Sequence, residues 1–217
     1  MKKQTETLFS ALFSTSPELT SCRDALEAVF ETLIACFRGG NKLLVCGNGG
    51  SAADTEHIVG ELMKGFRHSR PVSADQIEKL RSLYGTEGER IGSKLQGALP
   101  AISLVSQTSL ATAVANDVSP DMVFAQQVFG YGSEADALIA ISTSGNSVNV
   151  INAVKVARAL NLRTIALTGP SGTLSEIAEF PIRVPGHDTA RIQELHMAVY
   201  HTVCTALETA LFPQQEI

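Results

Sequence analysis

The chain has 217 residues, 44% of them hydrophobic and 18% charged, with a net charge of −5. That balance excludes a disordered chain, and its size supports a sizeable core without disulfide staples. The acidic balance argues against non-specific nucleic-acid binding, which needs clustered Lys and Arg, and no apolar run reaches the ~18 residues of a membrane-spanning helix.

Residues 1–41 read as an N-terminal helical extension. The opening MKKQTETLFSALFSTS has only scattered apolar residues and makes no convincing signal peptide. The pattern predicts a helix over 17–38, started at Ser16-Pro17, carried by Leu26, Val29, Leu33 and Phe37, and stopped at Gly39-Gly40. Lys42 to Cys46 is a buried strand, Gly47 to Ser51 a glycine-rich turn, and Ala52 to Met63 a helix.

Residues 72–98 are polar and charged. Ser73 and Gln76 are spaced as a capping box, and a Gly85–Gly88 break separates two helical arms. Strands follow at 99–105, 136–142, 163–168 and 181–184, with helices near 109–115, 119–129, 147–160, 174 and 189–211. Short apolar strands alternating with helices predict an α/β fold with a parallel sheet covered on both faces and right-handed crossovers. Ligands in such sheets bind beyond the carboxyl ends of the strands. Cys22, Cys36, Cys46 and Cys204 show no two-residue metal or redox spacing and read as buried, reduced thiols of a cytoplasmic protein.

Five stretches carry chemistry. CGNGGSAAD, Cys46 to Asp54, leaves a strand and opens a helix, so glycine backbone and free N–H groups can meet an anion. It also satisfies a relaxed dinucleotide fingerprint, but the acidic strand end that this requires ~20 residues on is missing. An unliganded tight turn is the plain alternative. ISTSGNS, Ile141 to Ser147, sets the hydroxyls of Ser142, Thr143, Ser144 and Ser147 at another helix start, which suits a phosphate monoester. The plain reading makes Ser147 an N-cap.

His57 and Glu61 are four apart on one helix face, fit for a shared metal, an acid–base pair or a surface ion pair. Asn116-Asp117 is either a helix stop or a pair of polar groups for sugar hydroxyls. The last helix holds Gln193, His196 and His201. Gln193 and His201 lie about 80° and about 12 Å apart along an ideal helix, and His196 lies about 140° from His201. Spacing does not choose between the two histidines.

Together CGNGGS, the following H-x-x-x-E, AND, ISTSGNS, ALTGPSG and RIQELHMAVYH resemble the sugar isomerase (SIS) superfamily, and within it the phosphoheptose isomerase family. The likeness runs from about Lys42 to the C-terminus, implying an SIS domain over 42–217 with an insertion at 72–98. It implies a doubly wound parallel sheet of about five strands, and conversion of sedoheptulose 7-phosphate to D-glycero-D-manno-heptose 7-phosphate by metal-assisted enediol chemistry. It also implies a cytoplasmic homotetramer with interfacial active sites and one zinc per subunit.

By that resemblance, metal ligands fall on His57, Glu61, Gln193 and His201. Substrate contacts fall on Asn48, Gly49, Gly50, Ser51, Glu61, Asn116, Asp117, Ser142, Thr143, Ser144, Ser147 and Gln193. Glu61 becomes the candidate base and His201 the candidate acid, although a zinc-bound carboxylate is a weaker base. Two departures stand out. The family's arginine four residues after the metal-binding glutamate is Gly65 here, with Arg67 as a shifted candidate, and the 72–98 insertion sits beside the site. The competing readings are an isomerase of another sugar phosphate, a sugar-phosphate sensing module, and a non-enzymatic SIS-domain binder of the replication initiator, to whose end the tail ALFPQQEI is similar.

Overall fold

The structure, a computed structural model, describes residues 3–212. Five apolar strands form one parallel sheet: β1 (Leu43–Gly47), β2 (Ala101–Ser103), β3 (Ala137–Ser142), β4 (Arg163–Thr168) and β5 (Phe180–Arg183). Their order is β2-β1-β3-β4-β5, with Leu43 in register with both Ala101 and Ala137. β1 and β3 are buried along their whole length, as strands covered on both faces must be.

Alternate side chains divide between two apolar layers. Leu43 and Val45 of β1, Ile139 and Ile141 of β3 and Ile165 and Leu167 of β4 join one cluster with the N-terminal and C-terminal helices. Leu44, Cys46, Leu138, Ala140 and Ala166 join the other, with Phe124, Val128, Val150, Val154 and Leu174. Each fully buried Val, Leu or Ile contributes roughly 1.5–3 kcal/mol, so these layers hold the sheet rigid under its loops.

The first layer contains α1 (Lys3–Thr15), α2 (Arg23–Arg38), α3 (Gly50–Met63) and the 23-residue α9 (Thr189–Leu211). α1 was not anticipated as a helix of its own. Phe9, Leu12 and Phe13 bury one stripe of it, and Phe9 meets Phe30 edge-on at 5.9 Å. That i, i+3, i+4 spacing was the readable signal. The helix expected over 17–38 begins instead as a 3-10 segment, Pro17–Cys22, and becomes α-helical only at Arg23.

α4 (Ala74–Gly92) fills most of the 72–98 segment. Its capping box forms in both directions between Ser73 and Gln76, and the helix breaks at Gly85, whose φ of 61° and ψ of −138° suit glycine. The second arm folds back so closely that a Cβ at Gly88 would stand 1.9 Å from the Leu80 carbonyl oxygen. The second layer contains α5 (Thr108–Asp117), α6 (Val123–Tyr131), α7 (Val148–Ala159) and the short α8 (Thr173–Ile177). All four cysteines are buried and free, and burial pushes the Cys46 and Cys204 thiols up to about 12.

Candidate active site

β1 connects to β2 on one side of it, and β3 then starts on the other, so the chain reverses direction across the sheet between β1 and β3. Loops leaving adjacent strands diverge there and open a crevice at the carboxyl ends. Both glycine- and serine-bearing turns stand at this point. Asn48 Nδ2 donates to Asn149 Oδ1 at 2.8 Å, and Asn149 Nδ2 donates back to Asn48 Oδ1 at 3.0 Å, tying the first turn to the start of α7.

In the second turn Ser142 Oγ lies 3.2 Å from Ser147 Oγ and 3.5 Å from Ser144 Oγ. Ser147 occupies the N-cap position of α7 but makes no side-chain cap bond. Its hydroxyl faces the other serines rather than its own helix, against the plain capping reading. Thr143, half-buried, accepts from the Gly169 N–H through its carbonyl. Ser51 is buried beneath the first turn.

α3 and α9 lie side by side in the same direction, and their contacts follow one another along both helices. At the start, Gln193 sits against Gly50: a Cβ there would be 2.4 Å from Gln193 Nε2. Further along, Tyr200 OH donates to Asp54 Oδ1 at 3.1 Å and lies 3.1 Å from His57 Nδ1. His57 Nε2 is 3.2 Å from Glu61 Oε1 and 3.4 Å from His201 Nε2. Glu61 Oε2 and Asp54 Oδ2 are buried without a hydrogen-bond partner among the described residues.

Burial raises the Asp54 carboxyl above its ordinary range, while the Tyr200 hydroxyl and His57 pull it down. Burial, then the Asp54 carboxylate, push the Tyr200 hydroxyl up. Burial and the neighbouring His57 hold the His201 imidazole below its ordinary value. An open groove lined by Leu12, Thr15, Arg67, His68 and Thr205 reaches His201.

Of the residues expected at a metal, the structure brings together His57, Glu61 and His201. Gln193 lies within this chain at the Gly50 end, eight positions along the helix from His201. A tetrahedral ion with bonds of ~2.0–2.2 Å sets its ligand atoms about 3.3–3.6 Å apart. The 3.4 and 3.2 Å separations around His57 Nε2 are close to that, and the unpartnered Glu61 oxygen adds a further donor. The nitrogen and oxygen set therefore fits a borderline divalent cation. Among the described residues no group of three or more His, Cys, Asp or Glu side chains is placed to hold a metal ion.

Asn116 and Asp117 are exposed at the end of α5 and bond to each other at 2.8 Å. No described contact joins them to the other candidates. His196 is fully buried, with neither ring nitrogen hydrogen-bonded among the described residues, and burial pushes it down to about 4. Gly65 is closed to any side chain, since a Cβ there would be 2.4 Å from the His68 carbonyl oxygen. Arg67 stacks on Phe66 at 5.2 Å beside the groove.

Four residues escaped sequence reasoning. Asp54 lies one turn before His57, and Tyr200 adjoins His201; neither spacing marks a partner. Arg70 and Glu208 form a fully buried pair at 2.7 Å. A lone acidic residue within the apolar VCTALETAL run was the one available sign of it. From residue 213 on, the tail ALFPQQEI lies outside the described residues.

The model of the SIS domain family matches residues 17–91 and 89–169. Phosphoheptose isomerases from Shewanella baltica and Shewanella frigidimarina are each 40% identical over 197 residues, covering 89% of this chain and 87% of theirs. The solved phosphoheptose isomerase of Neisseria gonorrhoeae is 30% identical with a TM-score of 0.72, covering 96% of this chain and 98% of that one. That of Francisella tularensis is 29% identical with a TM-score of 0.72, covering 95% and 99%.

Proposed function

The chain belongs to the phosphoheptose isomerases of the SIS domain family, and we propose that it isomerises sedoheptulose 7-phosphate to D-glycero-D-manno-heptose 7-phosphate. The observation that carries this reading is a pair of stations along α3. Hydroxyls and glycine backbone gather at the β1/β3 crevice, and a carboxylate with two imidazoles gathers further along the helix. A sugar phosphate that reacts at the end remote from its phosphate needs both.

In this mechanism Ser142, Ser144 and Ser147 hold the phosphate with the start of α7, which fixes the reacting carbons in place. Glu61 removes a proton from C1 while His201 protonates the carbonyl oxygen on C2, giving the enediol. His201 then takes the proton from the C1 hydroxyl as Glu61 returns its own to C2, leaving the aldose. An imidazole can both give and accept a proton near neutral pH, which suits His201 to this role. Zinc, held by His57, Glu61 and His201, would polarise the carbonyl and steady the enediolate. Gln193 contacts the substrate from the Gly50 side.

Homotetrameric assembly, a site between subunits and a cytoplasmic location belong to the same proposal. Val148 beside the serine turn and Met197 between Gln193 and His201 are 57% and 44% exposed, apolar surface that a neighbouring subunit would cover. Asn116 and Asp117 would then serve a neighbour's substrate. No helix among the described residues is long and apolar enough to cross a membrane.

The test is turnover of sedoheptulose 7-phosphate, followed as aldose formation. Wild type is expected to turn over, Glu61→Gln to lose about 10²–10⁴-fold in kcat, and Ser147→Ala to raise KM with kcat retained. Absence of turnover by zinc-loaded wild type would overturn the proposal.

A further inference from the structure

Asp54 and Tyr200 form a polar chain behind the histidine cluster. Asp54, on α3, is only 8% exposed. Its Oδ1 and the His57 Nδ1 are each 3.1 Å from the Tyr200 hydroxyl, and no other side chain among the described residues bonds that hydroxyl. A phenol has one hydrogen to give. Of its two neighbours the carboxylate is the stronger acceptor, since charge-assisted bonds outweigh neutral ones. The phenol oxygen is then left to accept, and the group beside it is His57 Nδ1, which completes that bond when it carries the hydrogen. A neutral imidazole has only one ring N–H, so His57 Nε2 becomes a bare lone pair. That lone pair points at Glu61 Oε1, 3.2 Å away, and at His201 Nε2, 3.4 Å away. Edge-on packing of the His57 and Tyr200 rings, 5.5 Å apart and inclined at 71°, holds the orientation.

We propose that Asp54 and Tyr200 are positioning residues that hold His57 with its hydrogen on Nδ1 and its Nε2 lone pair presented to Glu61 and His201. The arrangement leaves His57 Nε2 as an acceptor between Glu61 Oε1 and His201 Nε2, a position that a cation can occupy. Metal-binding histidines generally have their second nitrogen fixed by such an outer partner. Here the carboxylate acts at one remove, through the phenol. The opposite tautomer would place a hydrogen on Nε2, satisfy Glu61 directly and close the centre to a metal. The inference rests on the reading of His57 as a metal ligand, and its test separates the two.

In the full chain stripped of metal at pH 8, long-range ¹⁵N–¹H correlation reports which nitrogen of His57 bears hydrogen, the signal being identified by its loss in His57→Asn. Wild type is expected to show hydrogen on Nδ1. Tyr200→Phe, which keeps the ring and removes the hydroxyl, is expected to shift His57 toward hydrogen on Nε2. Zinc affinity, measured by competition with a chromophoric chelator, is expected to fall about 10–100-fold in the same variant. Asp54→Asn, which leaves the phenol a weaker acceptor to donate to, should fall between wild type and Tyr200→Phe. Hydrogen on Nε2 in wild type, or an unchanged tautomer in a folded Tyr200→Phe variant, would overturn the inference. If wild type shows the Nδ1 tautomer but takes up no zinc, the metal reading fails while the positioning of His57 stands.

Discussion

Two polar pairs lie along the same helix interface, and they are finished differently. Arg70 and Glu208 are both 0% exposed. Glu208 accepts from the backbone N–H groups of Phe66 and Arg67 at 2.8 and 2.7 Å and from Arg70 Nε at 2.7 Å. The remaining arms of Arg70 donate to the carbonyls of Leu62 and Glu61 at 2.8 and 3.1 Å, capping the end of α3 from outside. His57 and Glu61, in contrast, have side chains 42% and 12% exposed, and one Glu61 oxygen has no partner among the described residues. A buried charge is tolerable when its lone pairs and protons are met, and costly otherwise. The first pair is closed and holds structure. The second is left open, at a cost in stability, at the candidate active site.

Breaking the closed pair should have the largest effect. Arg70→Ala leaves Glu208 charged, buried and short of a partner, and frees two carbonyls at the end of α3. Unfolding in urea is expected to show a loss of about 3–5 kcal/mol. The double change Arg70→Met with Glu208→Leu should recover much of it, since apolar replacements often match a buried pair. A loss below ~1 kcal/mol for Arg70→Ala would mean that the pair is not the clamp described.

Acid should open the same pair by degrees. Burial alone would raise Glu208; the Phe66 and Arg67 N–H groups and the Arg70 guanidinium outweigh it and hold the carboxyl below its ordinary value. A depressed carboxyl contributes its full stability above the unfolded pKa of ~4.3 and loses it as pH falls through the folded value. His196 acts in the same direction over an earlier window. Burial takes it from 6.5 to about 4, so its contribution is complete above pH 6.5 and drains away down to about 4. Urea midpoints should therefore decline in two stages below pH 6.5. In Glu208→Gln only the earlier stage should remain, and a decline identical to wild type would contradict this assignment.

Most of the fold was legible because its signals are local. ALIAIS reads as a buried strand from its own residues, and Ser73 with Gln76 announces a helix start that then forms. α1 was less legible because its apolar stripe is narrow, and the 17–38 helix because Pro17 permits a 3-10 start as readily as an α-helical one. The candidate site divides the same way. The two turns and the His57–Glu61 spacing are visible within a dozen residues of sequence. Asp54 with Tyr200 and Arg70 with Glu208 are pairings across 146 and 138 residues. They exist only once the sheet has set α3 beside α9, and no spacing within one segment encodes that. Gln193 shows the reverse case. Helix geometry already placed it far from His201, and the contact with Gly50 gives that distance a use.

The smallest predicted effect sharpens the contrast most. Glu61→Gln should cost about 10²–10⁴-fold in kcat yet leave the stability of the metal-free protein within about 0.5 kcal/mol of wild type, or raise it. Glu61 Oε2 is buried with nothing among the described residues to accept from, and Oε1 faces a His57 nitrogen that carries no hydrogen if Tyr200 holds the other one. An amide removes the buried charge and can donate its N–H to that nitrogen, so a repulsive contact becomes a hydrogen bond. The change is nearly isosteric and leaves no cavity. Urea unfolding of metal-free wild type and variant decides the matter. A loss of 2 kcal/mol or more would show that Glu61 is a satisfied structural partner like Glu208, and the distinction between an open and a closed pair would fall with it.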